Sequence, residues 1–105
     1  MRFDKLTTPF QSAIQEAQSL AVGNDNPYIE PLHLLAAMIN QDDGSARAIL
    51  QRAGARVPAL LTGIQQALDR LPKVEGHGGE VTISRDLNNL LNLTDKAAQK
   101  RGDAY

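Results

Sequence analysis

Few residue types in this 105-residue chain could do covalent or acid–base chemistry, and their spacing limits what that chemistry could be. There is no cysteine, which removes disulfides and thiolate zinc sites. The two histidines, His33 and His77, lie far apart in the sequence. A metal centre wants three or more convergent ligands, and only Glu75, His77 and Glu80 form a local group of that kind. They surround Gly76-His77-Gly78-Gly79, a composition that reads as a solvated linker. The same glycines do not make a phosphate cradle, because no Lys-Ser or Lys-Thr follows and Glu80 would repel the anion. Asp42-Asp43 precedes Gly44 between two helical segments, which is turn chemistry rather than a catalytic carboxylate pair. No serine sits in a G-x-S-x-G turn, and nucleophilic catalysis needs such a group beside a positioned base. His33, near the start of the most apolar segment, reads as a packing or capping residue. The residues offer no catalytic constellation, and no metal or cofactor is expected in this chain.

What remains is apolar surface, and the elements that carry it follow from periodicity. Segment one runs from about Thr8 to Val22, with Phe10, Ala13, Ile14, Ala17, Leu20 and Ala21 on the stripe of an amphipathic helix. Thr7 or Thr8 can cap it, Pro9 suits its first turn, and Gly23 is the expected left-handed stop. Segment two starts at Pro31 and runs to about Gln41; it is apolar nearly all round, as a central helix is. Segment three is Ser45 to Ala53, capped by Ser45 and stopped by Gly54. Segment four runs from Pro58 to about Arg70 and ends before Pro72. In the linker that follows, Val81 and Ile83 alternate with polar residues and predict a short extended piece. Segment five runs from Ser84, its cap, to Arg101, with Gly102 as its stop.

Composition agrees with a small helical domain. At 42% hydrophobic and 22% charged residues the chain reads as globular. A domain this size buries roughly 60–70% of its unfolded surface. Aromatics make up only 4%, so Leu, Ile, Val and Ala must build the core, which favours close-packed helices. A net charge of −1 argues against nucleic acid as a partner. No apolar run is long enough to span a membrane. The N-terminal residues lack the apolar stretch of a secretory signal, so a cytoplasmic location is expected.

An offset of 77 residues, the distance from Thr7 to Ser84, lays segment five on segment one. Phe10 then meets Leu87, Ala13 meets Leu90, Ile14 meets Leu91, Ala21 meets Ala98 and Tyr28 meets Tyr105. Caps, stripe and following turn agree in register, which predicts a helical unit that begins to repeat. A complete five-helix bundle is the competing architecture. Glu16 falls off the core stripe of segment one, and its counterpart at the same helical angle is Leu93. Leu90, Leu93 and Ala97 then form a second stripe beside the core stripe of Leu87, Leu91, Thr94 and Ala98. Apolar residues at solvent-facing positions are candidate contact sites. Cover from helices outside this chain, or from segment one, would account for Leu93 equally well.

Four stretches give a family resemblance: Met1-Arg2-Phe3-Asp4-Lys5-Leu6-Thr7, Ile29-Glu30-Pro31-Leu32-His33-Leu34-Leu35, Arg70-Leu71-Pro72-Lys73-Val74-Glu75-Gly76 and Asp95-Lys96-Ala97-Ala98-Gln99-Lys100-Arg101-Gly102-Asp103. They resemble the N-terminal domain of the Clp ATPases, most closely its bacterial disaggregase branch. The likeness covers the whole chain. The last two stretches are the most specific, since the protease-partner relatives differ there. The resemblance implies an all-α double Clp-N repeat bundle of two pseudo-symmetric four-helix units, the second truncated after its first helix. Residues 1–71 would be the first repeat, 72–83 a Gly-rich linker, and 84–105 the first helix and turn of the second. The family's substrate groove lies between the repeats, so one wall of it would be incomplete here. The resemblance places Thr7 and Asp103 at positions tied to substrate handling, and the stripe of Leu90, Leu93 and Ala97 at part of the groove. By their own chemistry Thr7 is first a helix cap and Asp103 first a turn residue.

The function so implied is non-catalytic: capture of exposed apolar segments of unfolded or aggregated polypeptides, for delivery to an ATP-driven ring. ATP and Mg would belong to ATPase modules outside this chain. The parent is expected to be a homohexamer cooperating with a DnaK-type chaperone. Docking of one folded adaptor, as in protease-linked relatives, is the alternative. A small hydrolase or metal protein using His33 or the Glu75–Glu80 loop is a third reading.

Overall fold

The structure is a computed structural model that describes residues 6–41, 45–74 and 80–102. Its order is α1 (Thr8–Gly23), β1 (Tyr28–Ile29), α2 (Pro31–Asn40), α3 (Ser45–Arg52), α4 (Val57–Asp69), β2 (Thr82–Ile83) and α5 (Arg85–Arg101). Among the described residues the fold is all-α apart from one strand pair of two residues a side, as expected from the helical periodicity. Helix bounds agree with the sequence pattern to within a residue or two, the scatter that frayed ends produce. The cap expected from the Ser45 side chain, and the turn at Asp42-Asp43-Gly44, lie outside the described residues.

α1 is positioned by its cap and by its alanines. Thr7 is the N-cap, and its Oγ1 accepts the Phe10 N–H at 3.4 Å. Ala13, Ala17 and Ala21 are fully buried. Spaced four apart, they form a ridge with nothing beyond Cβ, which lets α2 approach closely. The end of α1 corrects one expectation: the left-handed residue is Asp25, at φ 56°, not Gly23. Gly23 stays helical, and the Asn24 N–H closes the last turn on the Leu20 carbonyl at 3.1 Å. Asp tolerates that conformation better than most residues because its short polar side chain can hydrogen-bond locally.

α2 is the central helix. Leu34 and Ala37 face a cluster made with Ala13, Ala17, Ala21, Ile29, Leu87 and Leu91. Ala36 and Ile39 face a second cluster with Val57, Ile64 and Leu68. A helix apolar on two sides must have neighbours on both; α1 and α5 supply one side, α3 and α4 the other.

The expected extended piece at 81–83 is present, and it has a partner that the pattern did not reveal. β1 and β2 pair in parallel, Tyr28 beside Thr82 and Ile29 beside Ile83. The Ser84 N–H then donates to the Ile29 carbonyl at 3.0 Å. This pairing delivers the chain to α5. Ser84 Oγ caps that helix by accepting the Leu87 N–H at 3.1 Å, and Gly102 ends it at φ 75°, a conformation that suits a residue without Cβ.

Candidate functional site

α5 divides its apolar residues between two faces. Leu87 and Leu91, 2% and 1% exposed, enter the core between α1 and α2, and Ala98 is buried two turns beyond Leu91. Leu90 is 42% exposed and Leu93 64%. Ala97 is exposed as well. These three fall at spacings of three and four, so they share one helix face. Thr94, half-buried at the boundary, turns its hydroxyl back onto the Leu90 carbonyl at 2.9 Å. Exposed Asn89, Lys96 and Lys100 flank the strip. Leu93 is the most exposed large hydrophobic side chain among the described residues. It is therefore not covered by α1.

Of the candidate residues, the structure brings Leu90, Leu93 and Ala97 together on one surface. Thr7 is exposed at the start of a different helix, its hydroxyl engaged in the cap. Asp103 lies outside the described residues, as do Glu75 and His77. Glu80 is exposed. Among the described residues no three His, Asp or Glu side chains gather as a metal site would require.

The buried polar centre lies elsewhere, around His33. This side chain is fully buried, and both ring nitrogens are engaged. The Glu30 backbone N–H donates to Nδ1 at 2.8 Å. Nδ1 is thus an acceptor, so the proton sits on Nε2, which donates to Asn26 Oδ1 at 2.8 Å. Asn26 is 2% exposed. Its Nδ2 donates to the Pro72 carbonyl at 3.0 Å. Asn24 Nδ2 reaches both Asn26 Oδ1 and the Leu68 carbonyl, at 3.0 and 3.2 Å. The network clasps the start of α2 to the turn after α1 and to the chain leaving α4. Burial pushes the His33 imidazole below its usual pKa, with the Glu30 carboxylate opposing the shift. With both nitrogens committed, His33 caps and packs, as its position in the sequence suggested. The asparagines were not singled out, because their partners lie 44 and 46 residues away in the chain.

The fold and its surface define a class: a small helical module that turns an apolar strip outward and spends its buried polar groups on holding helices together. The chain belongs to the Clp repeat (R) N-terminal domain family, whose pattern matches residues 5–105. It is 50% identical over its full length to the chaperone protein ClpB of Vibrio cholerae. It is 47% identical, again over its full length, to that of Pseudomonas putida. It spans 12% of the length of each of these relatives. Among solved structures, the Hsp104 N-terminal domain from Candida albicans superposes with a TM-score of 0.85 at 24% identity, over 95% of this chain and 65% of that one. The N-domain of ClpV from Vibrio cholerae gives 0.81 at 20% identity, over 96% and 60%. At these identities the two structures share the fold. Among the described residues, no helix is long and apolar enough to cross a membrane.

Proposed function

We propose that this chain is the substrate-recognition module of a ClpB-type disaggregase. It takes up exposed apolar segments of unfolded or aggregated polypeptides on the Leu90, Leu93 and Ala97 face of α5. The observation that carries this reading is the exposure of Leu90 and Leu93 on a helix whose opposite side is anchored in the core. Two leucines in water are unfavourable by themselves and gain when a guest covers them. The strip is short and shallow, so the area buried against a guest is small. Each Å2 contributes about 25 cal/mol before ordering is subtracted. Binding is therefore weak and tolerant of sequence, which suits a step that must let go. Thr7 and Asp103 are proposed to assist.

In this reading the parent carries AAA+ modules that bind ATP and Mg, assembles as a homohexamer, and works with a DnaK-type chaperone. The guest passes from this domain to that ring. Residues 1–71 then form one helical repeat, and 84–105 open a second across the 72–83 linker. The module itself does no covalent chemistry.

The test is a binding titration with a reduced, alkylated and permanently unfolded polypeptide, followed by fluorescence anisotropy. The native chain is expected to bind weakly, and the double variant Leu90→Asn/Leu93→Asn to bind several-fold more weakly still. Equal binding by both would remove the strip from the mechanism. Indifference to unfolded chains, with tight binding to one folded partner, would establish the adaptor-docking alternative instead.

A further inference from the structure

The clasp around His33 is joined to the seat of α5 by a short chain of hydrogen bonds. The Glu30 N–H donates to His33 Nδ1. One residue earlier, the Ile29 carbonyl accepts the Ser84 N–H, and Ser84 Oγ accepts the Leu87 N–H. The peptide unit between Ile29 and Glu30 therefore has both its polar groups committed: its N–H to the imidazole, its C=O to the start of α5. Moving one moves the other, because the unit is planar and rigid.

That bond requires Nδ1 to be unprotonated. An imidazolium has a proton on each nitrogen. Its Nδ1–H would point at the Glu30 N–H, donor against donor, inside a site with no exposure to water. The Nε2–H bond to Asn26 would survive. The carboxylate of Glu30, in a capping box with His33 and felt by its ring, is the acceptor that would pair with the new N–H, at the expense of the Glu30 backbone position. Nearby segments carry further charge at Asp25 in the turn, Asp69 and Arg70 at the end of α4, Lys73 beyond it, and Arg85 and Asp86 at the start of α5, which line a cavity with Glu30. All six are exposed. Glu30 is the one charge with a resolved effect on the ring.

We propose that His33 is an acid-operated latch: proton uptake at Nδ1 releases the peptide between Ile29 and Glu30, loosening the β1–β2 pairing and the N-terminal seat of α5. The neutral, Nε2-protonated ring is the closed state. Because burial disfavours the charged ring, the latch opens below the ordinary histidine range rather than within it. The proposal does not depend on what α5 binds.

The test is an NMR pH titration of the full 105-residue chain, following the His33 ring nitrogens and the backbone amides together. At neutral pH the ring nitrogens should report the Nε2–H tautomer. On acidification the amides of Glu30, Ser84 and Leu87 should shift with one midpoint, equal to that of the imidazole. The amides of Leu60 and Ile64, in α4, should not follow that midpoint. His33→Gln should abolish the shared transition. Glu30→Gln, which removes the waiting carboxylate but keeps the backbone N–H, should move it to lower pH, and this serves if the His33 variant does not fold. Titration of the ring with Ser84 and Leu87 unmoved would overturn the proposal. So would a ring that stays neutral until the whole chain unfolds, or a Glu30→Gln midpoint that does not fall.

Discussion

Leu91 and Leu93 are two positions apart on α5 and have opposite roles. Leu91 is 1% exposed and Leu93 64%. Leu91→Ala should cost about 2–5 kcal/mol of stability, because it leaves a cavity in the α1–α2–α5 core. Leu93→Ala should change stability by no more than about 0.5 kcal/mol. Urea denaturation of the two variants checks the contrast; a Leu93 variant as damaged as the Leu91 one would mean that the strip is packed. His33 makes a prediction of opposite kind. Its folded-state pKa is lowered from the ordinary 6.5, so the unfolded chain binds the proton more readily. Stability is then full above about pH 6.5 and falls as the pH drops below it. The slope is at most about 1.4 kcal/mol per pH unit, down to the folded-state pKa. Denaturation at pH 7.5 and 5.5 should show the loss in the native chain and a smaller one in His33→Gln. An equal pH dependence in both would remove His33 as its source. At this scale the sequence showed His33 as a cap and Leu93 as out of place, since both follow from helix register. It did not show Asn26 as buried or Asn24 as its half-buried partner, because asparagines between two helices report only local turn geometry.

The helices were legible as elements because cap, stripe and stop coincide. Thr7, Ser84 and Gly102 each do what their residue types suggest. Two features were not legible. The pairing of Tyr28–Ile29 with Thr82–Ile83 spans two residues a side, too short for an alternating pattern to stand out, and its partner strands lie far apart in the chain. The matching of α1 to α5 also departs from identity in depth: Ala13 is fully buried while Leu90, its counterpart by offset, is 42% exposed. The alanine ridge of α1 and the leucines of α5 therefore use the same register for different packing. Removing the α5 cap by Ser84→Ala should cost about 1 kcal/mol, and the loss should register as greater amide exchange at Leu87. Filling the ridge by Ala17→Leu should be worse, about 1–3 kcal/mol, since α1 and α2 cannot separate without opening the core. A thermal melt unchanged by Ala17→Leu would contradict the close approach of the two helices.

At the scale of the whole molecule, α2 divides the core into two clusters, one shared with α3 and α4 and one with α1 and α5. The first needs nothing from α5. The second holds α5 by Leu87 and Leu91 and leaves its far side outward. This surface is anchored in the core on its inner side and open on its outer side, which fits the proposed capture of apolar segments. The overall helical architecture could be read from the sequence because it is a sum of local patterns. Which apolar residues end up outside could be read only in part, because exposure depends on what packs against each face. The most direct test of the capture model is a map of backbone amide shifts when a reduced, alkylated polypeptide is added to the chain. Shifts are expected to concentrate at Leu90, Leu93 and Ala97 and to shrink in Leu90→Asn/Leu93→Asn while the dispersion of the free spectrum is preserved. Shifts that leave α5 untouched, or that persist unchanged in the double variant, would contradict the capture model.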